Sequence, residues 1–314
     1  MSTDSDTEHD REPDTERADT ECLAQTDEDA EQNREEADTQ TEPTTDAPDE
    51  DSIEEASPLD SVPDEPPAAF RAAIRASRLK NVLSTLRALV DEARVRITED
   101  GLTVRAVDSA NVAMDDLALG AAAFESFEAS PGTLGLDLDR LADPVSLASK
   151  DDLIQLYLDL ESGKLIVLVD GLRYSIACLD ATTIRAEPTL PEFDLPATVT
   201  VNREALQRGV KAADLVADHI RVRMEDNGEV LVVEAEGDTD AVVLELDGDE
   251  IDIVAAGDAS ALFSLDYLKK LVRTIPKGTT VTIDLGESFP LILSYDLADG
   301  EGAITRMLAP RIET

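Results

Sequence analysis

Two histidines and two cysteines are all that this 314-residue chain offers for proton transfer, thiol chemistry or zinc ligation. His9, Cys22, Cys178 and His219 are scattered, with no Cys/His spacing of a zinc site and no Ser/His/Asp arrangement among them. No Gly-x-x-x-x-Gly-Lys-Ser/Thr loop is present to cradle a nucleotide phosphate. Acidic pairs such as Asp115-Asp116 and Asp151-Asp152 could hold a hard cation, but in so acidic a chain they read as solvated carboxylates. No catalytic residue, metal or cofactor is expected. The scarce cations are more informative. They fall in four sets: Arg78, Lys80 and Arg87; Arg140 with Lys150; Arg203, Arg208 and Lys211; and Lys269, Lys270 and Arg273 with Lys277. Lys80 and Arg87 are seven apart, so they share a helix face; Lys269 and Arg273 are four apart, opposite Leu268, Leu271 and Val272. Such rows suit a phosphate backbone, met without reading base sequence. The plainer alternative is that each is a solubilising cation paired with a nearby acid.

The elements that must carry these cations repeat. Leu79, Val82, Leu83 and Leu86 recur at helical spacing and predict a helix over about Ala76–Leu89. Strands are expected at Arg94–Thr98, Thr103–Val107, Met114–Leu119 and Thr133–Leu136, then a short helix near Asp139–Ala148. A hairpin follows, Leu153–Leu158 with Leu165–Val169, and a last strand at Arg173–Leu179. The second half runs in the same order: a helix at Arg203–Ala217, strands at His219–Met224, Val230–Ala235 and Ala241–Leu246, a helix at Leu265–Thr274, a hairpin of Thr280–Leu285 with Leu291–Tyr295, and a strand at Ala303–Leu308. Between the halves, Asp180–Pro196 carries Pro188, Pro191 and Pro196 and reads as an extended connector. Pro144 falls inside the second predicted helix, which should therefore start late, kink or be shortened.

Charge divides the chain differently. Residues 1–67 hold 26 Asp/Glu against 3 Arg and no aromatic residue, a composition expected to stay disordered. The remainder holds 44 acids against 24 Lys/Arg. A folded part this acidic, without Trp, fits a high-salt cytoplasm, where the Debye length falls to about 3 Å at 1 M salt. No signal peptide and no membrane-length apolar run is seen. Two cysteines, one in the acidic segment, do not suggest a structural disulfide.

Three separated stretches converge on one family. They are Gly101-Leu102-Thr103-Val104-Arg105-Ala106-Val107-Asp108-Ser109-Ala110-Asn111-Val112-Ala113-Met114, Ser264-Leu265-Asp266-Tyr267-Leu268-Lys269-Lys270-Leu271 and Leu308-Ala309-Pro310-Arg311-Ile312. Together they resemble the archaeal and eukaryotic DNA sliding clamps, the proliferating cell nuclear antigen family. The resemblance covers nearly all of residues 69–314. It implies an α+β chain of two similar clamp domains, 68–179 and 197–314, joined by the connector 180–196 and preceded by the acidic tail 1–67. Helices would line the interior of a ring, with antiparallel sheets outside.

The resemblance also implies roles. All twelve cations named above would face encircled duplex DNA. Val107, Asn111, Val112, Ile184, Pro290, Met307, Ala309 and Pro310 would wall a groove for short peptide motifs of a replicative DNA polymerase, a clamp loader (replication factor C), a flap endonuclease and a DNA ligase. The family often has an aromatic where this chain has Met307, and Arg185 in the connector could alter pairing with acidic peptides. A head-to-tail homotrimer would pair Arg173, Tyr174, Ser175, Ile176 and Ala177 of one copy with Val242, Val243 and Leu244 of the next. The expected function is a non-catalytic processivity clamp in the cytoplasm, without membrane contact. The alternative is a clamp-like paralogue serving as a non-replicative interaction module.

Overall fold

The computed structural model describes residues 62–189, 193–225 and 228–312; the expected disorder of the acidic tail lies, for residues 1–61, outside them. The first half comprises β1 (Phe70–Arg75), α1 (Ala76–Leu86), β2 (Glu92–Thr98), β3 (Gly101–Val107), β4 (Ala113–Gly120), β5 (Ser126–Ala129), β6 (Gly132–Asp137), α2 (Leu138–Leu147), β7 (Leu153–Asp159), β8 (Lys164–Val169) and β9 (Leu172–Ala177). The second comprises β10 (Ala197–Asn202), α3 (Arg203–Ala213), β11 (His219–Glu225), β12 (Val230–Glu236), β13 (Ala241–Leu246), β14 (Ile251–Ala255), β15 (Ala259–Ser264), α4 (Leu265–Thr274), β16 (Thr280–Leu285), β17 (Leu291–Leu297) and β18 (Gly302–Leu308).

The duplication is sharper in space than in sequence. Sheet β5-β1-β7-β8-β9 has its counterpart in β14-β10-β16-β17-β18, and β4-β3-β2-β6 in β13-β12-β11-β15. Within the chain, β18 pairs antiparallel with β4, fusing two of these sheets into nine strands. Their counterparts, β9 and β13, are left as sheet edges. The junction that joins the halves is thus present once, and its two equivalent edges are open.

Each helix forms because one face is apolar and its first donors have partners. Leu79, Val82, Leu83 and Leu86 bury the inner face of α1. Arg75 gives α1 no side-chain cap; instead Ala76 N–H donates to Asp152 O at 2.8 Å and Ser77 N–H to Lys150 O at 3.1 Å. In α3 the equivalent donor, Arg203 N–H, goes to Thr279 O at 2.9 Å. Asp137 caps α2 by accepting from Arg140 N–H at 2.9 Å. One core cluster runs through both halves, and a second, smaller one of Met114, Ile292 and Met307 lies apart from it.

Several expectations need correction. Pro144 neither breaks nor shortens its helix: α2 runs through it and, at ten residues, matches α4. The proline is buried and close to the C-terminal end of the helix, and a single intrahelical bond is forgone. Helices α1 and α3 end at Leu86 and Ala213, earlier than their periodicity suggests, each followed by a turn. The strands β1, β5, β10, β14 and β15 are additional; β1 and β10 directly follow the proline-rich segments that masked them. Val62–Pro67 do not belong to a tail. Val62 is buried, Thr133 N–H donates to Glu65 O at 2.8 Å, Thr133 Oγ1 donates to Pro63 O at 2.7 Å, and Arg94 pairs with Asp64. The connector also contains a short turn at Ala181–Thr183, and Ile184 is buried against it and Gly135.

Candidate nucleic-acid face and partner groove

The four helices adjoin one another, α2 against α1, α1 against α4, and α4 against α3. The twelve predicted cations meet different fates on them. In the first half most are engaged internally. Arg78 donates to Asp299 Oδ2 at 2.9 and 3.0 Å and to Ala123 O at 2.7 Å. Lys80 Nζ donates to Ser146 O and Ala148 O, closing the C-terminus of α2. Arg87 Nε donates to Asp139 Oδ1 at 2.6 Å. Arg140 is exposed and 3.4 Å from Asp137. Arg203 is buried, against expectation; as the first residue of α3 it is folded under the Ile275–Thr279 loop. Arg208 pairs with Glu250 at 2.6 Å and Lys269 with Asp214 at 2.6 Å. Lys150, Lys211, Lys270, Arg273 and Lys277 are exposed and meet no carboxylate within ion-pair distance among the described residues. Lys270 lies 5.4 Å from the ring centre of Tyr267. Four of these five therefore lie on the second half, around α3, α4 and the loop after α4, and Lys150 follows α2 in the first.

Below this face sits a charge that sequence reading did not find. Asp115, read as a solvated carboxylate, is buried and takes both Arg306 Nε at 2.7 Å and Nη2 at 2.8 Å. Arg306 also donates to Thr85 O at the end of α1, and to Leu271 O and Thr274 Oγ1 at the end of α4. The two residues oppose one another across the β4–β18 junction. One guanidinium thus ties both helix C-termini, one from each half, to the strand pair that joins the halves. Carbonyls at helix C-termini carry partial negative charge, which a buried cation offsets. Asp116, the other member of the pair, is 3.0 Å from Arg105.

On the other side of the nine-stranded sheet, the loop Asp108–Val112 leads to the predicted groove. Asp108 is buried and accepts from the backbone N–H groups of Ala110, Val112 and Ala113, and from Tyr267 Oη at 2.7 Å. Burial pushes its carboxyl up, and the four hydrogen bonds together outweigh this, so its pKa lies below the usual value. The same bond raises the Tyr267 phenol to about 12. Asp108 then contributes stability that is present above the ordinary carboxylate range and lost as pH falls through its depressed pKa. Tyr267 contributes stability present below about pH 10, the ordinary phenol pKa, and lost as pH rises toward 12. Tyr267→Phe should cost roughly 1.5–3 kcal/mol, the range for hydrogen bonds to charged groups. Denaturant melts at neutral pH would read that loss, and tyrosinate absorbance should lose a phenol titrating near pH 12.

The groove residues separate into two places. Val107 and Met307 meet, with Met114 and Ile292, and the connector's Phe193 and Leu195 pack against them. Phe193 stands edge-on to Phe289, ring centres 5.8 Å apart. Val112 packs instead on the main core, and Ala309 N–H donates to Val112 O at 2.8 Å. Pro290 and Pro310 are half-buried. Ile184 lies in a neighbouring cleft with Arg185, which Val107 also lines. Arg185 is not free for an incoming peptide: Nη1 donates to Asp108 O at 2.7 Å and Nη2 to Asn111 Oδ1. Asn111 adopts a left-handed backbone, φ 57°, that presents its amide to the connector. Met114, Ile292, Phe193 and Leu195 were missed, although the unbroken run Leu291-Ile292-Leu293 signals a strand buried on both faces.

Of the residues expected at a subunit contact, Arg173–Ala177 lie on β9 and Val242–Leu244 on β13, each strand with one unpaired side. Tyr174 and Ile176 turn toward the core, while Arg173, Ser175, Ala177 and Val243 are exposed. Cys178 is a free thiol. Among the described residues no group of three or more His, Cys, Asp or Glu could hold a metal ion, and no helix is long and apolar enough to cross a membrane.

A duplicated α+β chain with a helical face, an apolar patch packed by the connector and open sheet edges at β9 and β13 defines a two-domain clamp scaffold. The models for the N-terminal and C-terminal domains of proliferating cell nuclear antigen match residues 70–178 and 189–311. The chain is 47% identical over 245 residues to a DNA polymerase sliding clamp of Natronomonas pharaonis and 46% identical to one of Halobacterium salinarum, covering 78% of this chain and 99% of each relative. Its fold matches the A. fulgidus PCNA solved with the C-terminal region of FEN-1, at TM-score 0.73 and 34% identity, over 78% of this chain and 99% of that one. A PCNA of Thermococcus kodakaraensis gives TM-score 0.70 at 26% identity, over 77% and 100%. This chain belongs to the proliferating cell nuclear antigen family of DNA polymerase sliding clamps.

Proposed function

We propose that three copies close head-to-tail into a ring that encircles duplex DNA and holds a replicative polymerase, and in turn a flap endonuclease or a ligase, without catalysing any step itself. The observation that carries this reading is the set of exposed cations on and beside the helices, Lys150, Lys211, Lys270, Arg273 and Lys277, that meet no carboxylate among the described residues, in a chain of net charge −43. Phosphate attraction weakens steeply with salt, so in the high-salt cytoplasm that the acidic surface suits, retention comes from ring closure and the cations only guide the duplex. Short peptide motifs are bound at the Val107–Met307 patch, where Met307 adapts to different apolar anchors. A clamp loader, replication factor C, opens the ring.

The test is primer extension on a primed circular template in molar KCl, with a salt-adapted polymerase and clamp loader. Full-length chain and a version beginning at Ser61, which retains Val62–Pro67, should both give long products. Long products from the shortened chain alone would make the acidic segment an inhibitor. A second reading is a clamp-like platform without a replicative role. It is favoured by the internal engagement of Arg78, Lys80 and Arg87 and by the exposed Asp139 and Asp143 on α2. A closed trimer that fails to stimulate extension would select it.

A further inference from the structure

Residues 62–67 lie ahead of residue 70, where the match to the family begins, so the elements shared with the relatives do not include them. They are nonetheless built into the fold as a strap across the edge of β6. Thr133 N–H donates to Glu65 O at 2.8 Å and Thr133 Oγ1 to Pro63 O at 2.7 Å. A Cβ at Gly132 would lie 2.8 Å from Glu65 O and closer still to Pro67, so glycine is what lets the strap approach. The same edge seats the root of the connector three residues on. Leu179 N–H donates to Gly135 O at 2.8 Å, and a Cβ at Gly135 would lie 2.6 Å from Leu179 O and 3.0 Å from Ile184 Cδ1.

Two arginines of β2 stitch these covers together crosswise. Arg96 stands opposite Thr133, in the strap's row, and Arg94 opposite Gly135, in the connector's row. Arg96 takes the connector: its Nε donates to both carboxylate oxygens of Glu187 at 2.8 Å, while its Nη1 donates to Val62 O at 2.9 Å. Arg94 takes the strap, pairing with Asp64. The Arg96 and Glu187 side chains are 11% and 12% exposed, and Val62 is buried. A pair shielded in this way is screened much less by salt than an exposed one, which matters where the Debye length is about 3 Å. Arg94 and Arg96 project opposite to Val95 and Ile97, which belong to the core beneath the helices, so the strap lies on the connector's side of the sheet.

We infer that the strap is a positioning element of the partner-peptide site. By closing water and salt off from the Arg96–Glu187 bridge, it fixes residues 184–187 of the connector. From there Arg185 holds Asp108 O and Asn111 Oδ1, in the loop that follows Val107. The inference rests on the reading above that short motifs bind at the patch around Val107 and Met307, whose Phe193 and Leu195 come from the same connector. What the strap sets is how firmly that wall stands before a peptide arrives. A wall already held costs the peptide no ordering of it on binding, so affinity rises without any new contact.

The test uses the full-length chain carrying Asp64→Asn with Thr133→Val, which loosen the strap and leave the connector and the patch unaltered. Thr133→Val keeps the backbone donor and the side-chain shape. The probe is a labelled synthetic peptide of the FEN-1 C-terminal region, followed by fluorescence anisotropy in molar KCl; its affinity should fall roughly fivefold or more. Hydrogen exchange at Thr183 and Ile184, whose amides donate to Asp180 O and Ala181 O, should quicken about tenfold, with the amides of the four helices unchanged. The trimer mass should not move. Glu187→Gln should produce the same loss without touching the strap, and combining it with the strap pair should add little, since both act through one bridge. Affinity and exchange equal to wild type would overturn the inference. So would additive losses, which would route the strap's effect around the bridge, and so would faster exchange with affinity unchanged. Wild type that does not bind the peptide would sink the groove reading, and the strap's part in it, while the exchange arm would still report the strap's hold on the connector.

Discussion

Arg306→Met is expected to be the most damaging single substitution in the folded chain. It removes the only cation facing the buried Asp115 carboxylate among the described residues, and removing one partner of a buried pair typically costs about 3–5 kcal/mol. In a domain of this size that corresponds to a fall in melting temperature on the order of 10 °C. The damage should not stay local. Arg306 also donates to Thr85 O and Leu271 O, so the ends of α1 and α4 lose their shared anchor. Adding Asp115→Leu should restore most of the stability, since an apolar pair often replaces a buried ion pair at little cost. Recovery should remain incomplete, because the two helix carbonyls stay without their donor. Thermal melts of the two variants at one salt concentration read both effects. A single variant as stable as wild type would mean that Asp115 is not held by Arg306.

That pair also shows where sequence reading runs out. Asp115 and Arg306 lie 191 positions apart, and nothing local separates Asp115 from the solvated acids around it. By contrast, Leu79, Val82, Leu83 and Leu86 announce α1 because a helix face is a local property, and the repeat of elements was legible from their order. Pro144 misled for the opposite reason. Its local penalty is real, but the helix is held by Asp137 at one end and by Lys80 from another helix at the other. The cations were found as residues and misjudged as a set. Which of them are free depends on partners distant in sequence, such as Asp299 for Arg78. Arg203 had the right helix and the wrong exposure, since the loop that covers it begins 72 positions later at Ile275. Of the residues expected to wall a groove, Val107 and Met307 fall in one apolar patch, while Ile184 and Val112 serve neighbouring packing, and the aromatic Phe193 of that patch comes from the connector.

The open edges lead to the second large effect. Strand registers align the two halves residue by residue. Leu156 pairs with Val167, which pairs with Tyr174; the counterparts are Ile283, Leu293 and Arg306. Likewise Val104 pairs with Leu117, as Val233 does with Leu244, which makes Val242 the counterpart of Asp115. If β9 of one copy meets β13 of the next as β18 meets β4 within the chain, Tyr174 opposes Val242 and Arg173 opposes Val243. The external junction then places an aromatic–β-branched pair where the internal one buries an ion pair, a substitution suited to a contact that must form between separate molecules and be opened again. Val243→Pro should leave a folded monomer, because proline removes an edge donor and disturbs the strand that the neighbour would join. Light scattering should then give about one third of the trimer mass, near the 33.8 kDa of a single chain, and extension on a circular template should lose its long products. The register has its own check: in a Cys22→Ser, Cys178→Ser background, Arg173→Cys with Val243→Cys should oxidise to a covalent ring, since opposed residues bring their Cβ atoms within about 5.5 Å. A trimer undisturbed by Val243→Pro, or cysteines that never cross-link, would place the subunit contact elsewhere and remove the reason for these two edges to be bare.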